Sequence, residues 1–243
     1  MARSESLSEL MSGQMPERYL RNLGTIGIAG QLLLLQATVA VIGAGGLGGH
    51  VIELLSRQGV GHLVIIDGDS FSRHNLNRQI LATELTLGMN KAEVAAARVA
   101  DINPDVQVRA YPMMLDSANA LYFLSGINVI VDALDSISNR RMLLRIAQEL
   151  RIPLVHAAIA GFTGQVSTVM PEDHGIATLF GKATPSDRGV EVLLGNPATT
   201  PAVAAALQSQ EVIKLITGVG QPLSRQLLYF DLEYNLFEKI QLE

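Results

Sequence analysis

The sequence has no cysteine and no tryptophan among its 243 residues. The absence of cysteine excludes disulfides, thiolate zinc sites and any cysteine nucleophile or thioester carried by this chain. This is the most decisive feature of the composition, because it limits the chemistry of the chain to groups other than thiols.

Basic residues and long apolar runs are also scarce. The net charge of −5 leaves no basic excess to neutralise phosphates, which argues against general nucleic-acid binding. Residues 1–15 lack the apolar core of a signal peptide, so we expect a cytoplasmic protein. No Asp, Glu, Lys or Arg occurs at 22–52, but glycines and polar residues interrupt this run before it reaches ~20 consecutive apolar residues. We therefore predict a buried soluble core and no membrane association.

Aliphatic residues dominate a composition that is 48% hydrophobic and 17% charged. Apolar runs predict strands at 38–42, 62–67, 106–111, 128–132, 154–158 and 164–170. Helical patterns fall at 16–36, 47–58, 90–102, 117–124, 139–150 and 201–217, and a hairpin at 227–242 turns near 233–235. This alternation predicts an α/β fold, a doubly wound, mostly parallel, Rossmann-like sheet with antiparallel C-terminal strands. We find no repeat or linker and predict one domain over 1–243, with a helical N-terminal segment at 1–36 and a long loop at 171–200.

The first strand runs into the glycine-rich sequence GAGGLGG at 43–49. Gly43, Gly45 and Gly48 have the spacing of a nucleotide-binding turn between a strand and a helix. The first permits the tight turn, the second lets a phosphate approach the backbone, and the third packs helix against strand. The N–H groups at the start of the helix would face an anion. The alternative is a glycine-rich turn without a ligand.

Polar residues follow the other predicted strands at their carboxyl ends. Asp67 ends the second strand 19 residues beyond Gly48, where an acid commonly accepts hydrogen bonds from ribose hydroxyls. The alternative for Asp67 is a loop or helix cap. Because ligands of such sheets bind at the carboxyl ends of the strands, Asp67, Asp135 and the glycines are expected at one edge.

Five elements in order resemble the MoeB/ThiF/HesA family of ubiquitin-activating-enzyme-like adenylyltransferases. They are RYLR at 18–21, the acid-ended second strand, NLNRQ at 75–79, GMNK at 88–91, and Asp135. The resemblance runs from Arg18 to about Lys239. It implies that ATP adenylates the C-terminal glycine carboxylate of a ubiquitin-like sulfur-carrier protein with release of pyrophosphate, in molybdopterin, thiamin or related biosynthesis.

The resemblance also implies roles for individual residues. Arg78 and Lys91 would grip phosphate oxygens, and Asp135 would hold Mg²⁺. Arg21 would reach the ATP of the partner subunit in a homodimer. The implied catalytic residues are Arg21, Arg78, Lys91 and Asp135. The implied nucleotide-binding residues are Gly43, Gly45, Gly46, Gly48, Asp67 (to the ribose), Asp69, Asn75, Arg78, Gln79, Lys91 and Asp135. For Asp69 and Arg140 the alternatives are a loop cap and an exposed helix residue, and for His156 a core position without metal-ligand spacing is expected.

The sequence departs from the family where cysteines are usual. Residues 173–179 and 237–243 stand where many relatives carry Cys-x-x-Cys pairs, so no zinc is expected. The cysteine of the family's crossover loop, here at 171–200, is missing too. The chemistry of this chain should therefore stop at the acyl-adenylate, and a separate protein must donate the sulfur. Residues 195–200 contain less glycine than usual, and Ser136 follows Asp135 where Asn is common.

Three other functions are compatible with parts of the sequence. An NAD(P)-dependent oxidoreductase would share the glycine turn, but it would not explain Lys91 or the arginines after Asp67. A tRNA-modifying dehydratase of the same family would favour a basic face. A non-catalytic nucleotide-binding partner subunit would account for the missing cysteines but not for the phosphate-binding set.

Overall fold

The computed structural model describes residues 2–173, 187 and 189–242. Eight strands form one sheet in the order β3-β2-β1-β4-β5-β6-β7-β8. The strands are β1 Thr38–Ile42, β2 His62–Ile66, β3 Gln107–Tyr111, β4 Val129–Asp132, β5 Leu154–Ala160, β6 Thr163–Val169, β7 Gln226–Asp231 and β8 Leu236–Gln241. The helices are α1 Ala2–Met11, α2 Leu23–Gln36, α3 Gly46–Gln58, α4 Lys91–Ile102, α5 Ala120–Leu124, α6 Ile137–Glu149, α7 Glu191–Leu194 and α8 Thr199–Thr217.

Strands β1 to β5 are parallel, as predicted for the doubly wound half of the sheet. The chain first winds outward from β1 to β3 and then returns to the other side of β1 with β4. The strand order therefore reverses between β1 and β4. In open α/β sheets, the carboxyl ends of the strands at such a reversal form a crevice that binds ligands.

Strands β6 to β8 are antiparallel to their neighbours. Only two residues, Gly161 and Phe162, join β5 to β6, which is too short for a parallel crossover. The predicted C-terminal hairpin is confirmed as β7 and β8. Asn235, with a φ of 54°, lies in the predicted turn.

The central parallel strands β1, β2 and β4 carry apolar runs because both faces of the sheet are covered there, whereas the outer strand β3 is partly exposed and contains a glutamine and an arginine. In β1, Val39 and Val41 pack into the cluster under α3, α4 and α8, while Ala40 and Ile42 pack into the cluster under α5 and α6. Because an apolar core packs on each face of the sheet, the strands are held firmly, and the loops that follow their carboxyl ends are held in place with them.

The structure differs from the sequence-based expectations at the N-terminus and in the long loop. Helix α1 lies inside the predicted helical segment at 1–36 but before the helical pattern at 16–36, and its buried Leu10 packs with Tyr19 and Leu35. A short helix, α7, interrupts the predicted 171–200 loop, and most of the rest of that loop lies outside the described residues. Among the described helices, none is long and apolar enough to span a membrane.

Candidate active site

A cavity of about 560 Å³ opens at the carboxyl ends of β1, β2 and β4. Nine of the residues predicted to bind nucleotide line it: Gly43, Gly45, Gly46, Asp67, Asp69, Arg78, Gln79, Lys91 and Asp135. Gly48, Asn75 and Arg21 do not line it. The glycine turn thus meets residues of four of the five family elements in one place, and the element at 18–21 lies elsewhere.

The glycine turn closes tightly against β4. Gly43 has a φ of +97°, and a Cβ there would lie 2.6 Å from the carbonyl oxygen of Ala133. A Cβ on Gly48 would lie 1.8 Å from the carbonyl oxygen of Gly43. Both positions therefore require glycine. Gly48 packs helix against strand as predicted, and it supports the turn from below the cavity.

Asp67 ties the glycine turn to the end of β2. Its Oδ2 accepts a hydrogen bond from the N–H of Ala44 at 2.7 Å, and its Oδ1 accepts one from the N–H of Asp69 at 2.8 Å. Burial raises the pKa of the Asp67 carboxyl, and the two N–H donors and Lys91 oppose this shift only in part. These contacts are those of a loop cap, the alternative considered above, and the contact with ribose stays a prediction.

Lys91 is held beside the cavity at the start of α4. The Asn90 side chain caps this helix by accepting from the N–H groups of Ala92 and Glu93. The Lys91 ammonium is nearly buried and lies 2.9 Å from the Asp69 carboxylate, which is largely exposed. Asp69 therefore does more than cap a loop, because it fixes the direction of a cation that faces the cavity.

Arg78 and Gln79 lie on the loop after β2, which Asn75 shapes. The buried Asn75 side chain accepts from the Ser72 N–H at 3.0 Å, so it supports the loop and does not face the cavity. The Arg78 Nη1 donates to the His74 carbonyl and to the Oδ1 of the preceding asparagine, and the other guanidinium nitrogens have no partner among the described residues. The buried Gln79 Oε1 has no hydrogen-bond partner among the described residues. An unpaired buried acceptor in a cavity indicates a ligand-binding position.

Asp135 places an exposed carboxylate at the cavity. It follows β4 and precedes α6, whose N-cap is Ser136. Within the described part of the chain, no hydrogen bond or ion pair occupies its carboxylate, and no group of three or more acidic or histidine side chains could hold a metal. A single free carboxylate fits Mg²⁺, which takes its remaining ligands from water and substrate phosphates.

A buried polar cluster that sequence analysis did not identify lies behind Asp135. Asp132 and His156 are fully buried, and the Asp132 Oδ2 lies 2.7 Å from the His156 Nδ1. The alternative interpretation of Arg140 as an exposed helix residue is wrong, because Arg140 is 8% exposed and contacts both Asp132 and His156. Burial alone would raise the pKa of Asp132, yet the neighbouring Arg140 and His156 bring that pKa below its usual value.

His156 belongs to the core, as expected, and also borders the cavity. Burial lowers the pKa of the imidazole, which keeps it neutral near pH 7. A signal for this cluster was present in the sequence, because Asp132 ends a buried strand just as Asp67 does.

Arg21 lies at the opposite edge of the sheet from the cavity of its own chain. Tyr19, two residues before it, packs against Gly59 at the end of α3 and accepts a hydrogen bond from the Asn103 side chain. The end of α3 marks the amino ends of the strands. The structure therefore does not bring the exposed Arg21 together with Lys91 and Asp135 within one chain.

A second cavity of about 500 Å³ adjoins the first, and Asn196 lines both. The buried Asn196 Oδ1 has no hydrogen-bond partner among the described residues. The exposed apolar side chains of Phe162 and Leu194 line this second cavity, and the exposed Val192 lines the first. The second cavity therefore connects an apolar surface to the first cavity.

Comparison with known sequences identifies close relatives. The model of the ThiF family matches residues 19–243. The SAMP-activating enzyme E1 of Haloferax volcanii is 36% identical over 92% of this chain and 84% of its own length. The sulfur carrier protein adenylyltransferase of Thermus thermophilus is 37% identical over 92% of this chain and 86% of its own. The adenylyltransferase and sulfurtransferase MOCS3 of Arabidopsis thaliana is 40% identical, and the match spans 50% of that longer protein.

Comparison with solved structures supports the same fold. The E. coli MccB structure with MccA-N7isoASN superposes with a TM-score of 0.81 over 93% of this chain and 71% of MccB, at 23% identity. A PaaA structure superposes with a TM-score of 0.78 over 93% of this chain and 73% of PaaA, at 21% identity. At these identities the likeness establishes the fold alone.

Proposed function

This chain belongs to the ThiF family and is an adenylyltransferase, and we propose that it activates the C-terminal carboxylate of a ubiquitin-like sulfur-carrier protein. In this reaction a carboxylate oxygen of the carrier attacks the α-phosphorus of ATP. The bond between the α-phosphorus and the oxygen that bridges it to the β-phosphate breaks. Pyrophosphate leaves with that oxygen, and the carrier is left as an acyl-adenylate. The product would serve molybdopterin, thiamin or related sulfur-transfer biosynthesis.

The observation that carries the proposal is the meeting of the glycine turn, two cations and a free carboxylate in one cavity. A carboxylate that approaches ATP brings an anion towards a polyanion, so the site must neutralise charge and align the reactants. Lys91, fixed by Asp69, provides a directed point charge, and Arg78 provides a planar fork. The tight glycine turn lets phosphate oxygens approach the N–H groups of α3.

The free carboxylate of Asp135 would hold Mg²⁺, which when bound neutralises phosphate charge and orients the leaving pyrophosphate. Gln79, with its unpaired Oε1, would contact the nucleotide beside Gly45. Asp67 keeps lone pairs beyond its two N–H contacts, with which it would accept from the ribose hydroxyls.

The second cavity is the proposed route of the carrier tail. A glycine-ended tail is narrow and rich in backbone N–H groups, and the unpaired Asn196 Oδ1 would accept from one of them where the two cavities meet. The apolar side chains around Phe162 and Leu194 would contact the folded body of the carrier.

We further propose that residues 1–243 form a single adenylation domain that works as a cytoplasmic homodimer. The position of Arg21, remote from the cavity of its own chain, supports a role at the cavity of the partner subunit. Because the chain has no cysteine, a separate protein would donate the sulfur, and no zinc would be bound.

The test is carrier-dependent exchange between ATP and labelled pyrophosphate, with each ubiquitin-like protein of the same genome offered in turn. We expect exchange with at least one carrier and none with the same carrier after deletion of its C-terminal glycine. Matched calorimetry should detect binding of ATP and not of NAD. Failure of every carrier to support exchange, together with tight NAD binding, would overturn the proposal.

A further inference from the structure

We propose that Arg140 is a positioning residue that fixes the backbone immediately before Asp135 and thereby aims the Asp135 carboxylate. This inference rests on the proposed function, in which Asp135 holds the divalent cation. Its basis is a clamp on Leu134, defined by Asp132 and Arg140. The Leu134 N–H donates to the Asp132 Oδ1 at 3.1 Å, and the Leu134 carbonyl accepts from the Arg140 Nη2. Both polar backbone atoms of the residue before Asp135 are therefore held by buried charges.

Arg140 is itself anchored on the neighbouring strand. Its Nη1 donates to the carbonyl of Ala157 in β5 at 2.7 Å and lies 3.6 Å from the Asp132 Oδ2. One planar guanidinium thus joins the loop after β4 to the interior of β5. Lysine would keep the positive charge, but its single ammonium has no planar fork to span both carbonyls in this geometry.

His156 completes the cluster by fixing the acid. At 2.7 Å from a carboxylate oxygen, the His156 Nδ1 must carry the hydrogen, because two acceptors do not approach so closely. The Asp132 Oδ2 therefore accepts from His156 and faces Arg140, which leaves Oδ1 for Leu134. The Asp132 carboxylate is fully committed inside the protein, whereas the Asp135 carboxylate has no partner among the described residues.

This contrast explains why the clamp matters. A carboxylate without hydrogen bonds of its own takes its direction from the backbone that carries it. Groups outside the ligand shell that orient a ligand typically change metal affinity by about 10- to 100-fold when removed. Losing the Arg140 fork would release the Leu134 carbonyl and let Asp135 sample other directions.

The first experiment measures Mn²⁺ binding by electron paramagnetic resonance in the presence of a non-hydrolysable ATP analogue. We compare Arg140→Met and Arg140→Lys with Arg145→Met, an exposed arginine on the same helix that loses the same charge. Both Arg140 variants should weaken Mn²⁺ binding by at least about tenfold, while Arg145→Met should bind like wild type. Wild-type Mn²⁺ binding by a folded Arg140→Lys variant would overturn the inference.

The second measurement asks whether Arg140 acts through Asp135. In an Asp135→Asn background, Arg140→Met should cause little further loss of Mn²⁺ binding, because residues that act as a unit are not additive. An undiminished loss in that background would contradict the positioning role. Amide hydrogen exchange of a peptide covering 133–136 should also accelerate in Arg140→Lys. This variant keeps the buried positive charge, so it serves as a control for variants that lose the fold together with the charge.

Failure of this inference and failure of the proposed function give different results. If wild type shows carrier-dependent exchange while Arg140 variants bind Mn²⁺ normally, only the positioning role is lost. If wild type shows no exchange with any carrier, the proposed function fails whatever Arg140 does.

Discussion

Polar groups at the two opposite edges of the sheet differ in whether their hydrogen bonds are complete. The amino-edge network consists of Ser6, Arg18, Tyr19, Asn103 and Asp105. Its centre, Asn103, donates to the Tyr19 hydroxyl and the Ser56 carbonyl, and its Oδ1 accepts from Arg18 and from the Asp105 N–H. The amide of Asn103 therefore uses all of its bonding capacity within the protein.

At the carboxyl edge, several groups are left open. Among the described residues, the Gln79 Oε1 and the Asn196 Oδ1 have no hydrogen-bond partner, and the Asp135 carboxylate is unpaired. Leaving a buried polar atom without a partner costs free energy, so unpaired atoms that line a cavity indicate a ligand-binding position. The amino-edge network therefore serves the fold, whereas the open groups at the carboxyl edge line the cavities and are available to a ligand. The Oε1 atoms of Gln58 and Gln208 also lack partners among the described residues, but these two residues line neither cavity.

The sharpest way to test this contrast is to remove a charge from the open edge. Lys91→Ala and Asp135→Ala should each lower adenylate formation by at least about 10³-fold, because the proposal has Lys91 contact the phosphate oxygens and Asp135 hold the Mg²⁺ that neutralises them. Pyrophosphate exchange measures the loss, and urea denaturation should show unfolding free energies close to wild type. Full activity in either variant with its true carrier would show that the site is assigned wrongly.

In the proposed homodimer, Arg21 would act at the cavity of the partner subunit. Arg21→Ala should lower exchange by about 10²-fold, because one cation on the transferring phosphates is lost. Mixing Arg21→Ala with Asp135→Ala chains should restore part of the activity, since a heterodimer contains one complete cavity with an intact arginine. Mixtures that regain nothing would argue against a role in trans.

Breaking the amino-edge network should instead affect stability. Asn103→Ala leaves the Tyr19 hydroxyl, the Ser56 carbonyl and Arg18 without their shared partner and should lower the free energy of unfolding by about 2–3 kcal/mol. The affinity for a non-hydrolysable ATP analogue should stay at the wild-type value. If the nucleotide affinity of Asn103→Ala falls while its stability is unchanged, the division between the two edges is incorrect.

Much of this arrangement was predictable because it depends on local patterns. Apolar runs ending in Asp67 and Asp132 mark strands, and Gly43 and Gly48 stand where backbone contacts exclude any side chain. Since carboxyl ends of parallel strands meet at one edge, the predicted nucleotide-binding residues were expected there, and nine of them line one cavity.

What could not be predicted depends on contacts between distant segments. Arg140 stands in a helical pattern with Arg141 and Arg145. Periodicity alone does not show which of these helix arginines is buried against an acid on a strand. His156 lies in an apolar run, where a neutral core histidine and a residue bordering a cavity look the same. The pairing of Asp69 with Lys91 joins residues 22 positions apart through the shape of a loop.

The smallest expected effect is on the pH dependence of the unfolding free energy, which should also differ between the two edges. Burial lowers the folded-state pKa of His156, so between about pH 6.5 and that lower pKa the unfolded chain binds a proton that the folded chain does not. Stability should therefore be complete above about pH 6.5 and fall as the pH is lowered, with a limiting slope of about 1.4 kcal/mol per pH unit from this residue. Burial lowers the pKa of the half-buried His50 too, so it adds a weaker dependence in the same direction.

Urea denaturation of wild type, His156→Gln and the matched His50→Gln variant between pH 5 and 7 measures these slopes. His156→Gln should flatten the dependence most, because only its imidazole is fully buried against an acid. The amino-edge network contains no histidine, so Asn103→Ala should keep the wild-type slope although it starts from a lower stability. An unchanged slope in His156→Gln would mean that the imidazole titrates equally in the folded and unfolded chains, in which case the cluster behind Asp135 is more open to water than the amino edge.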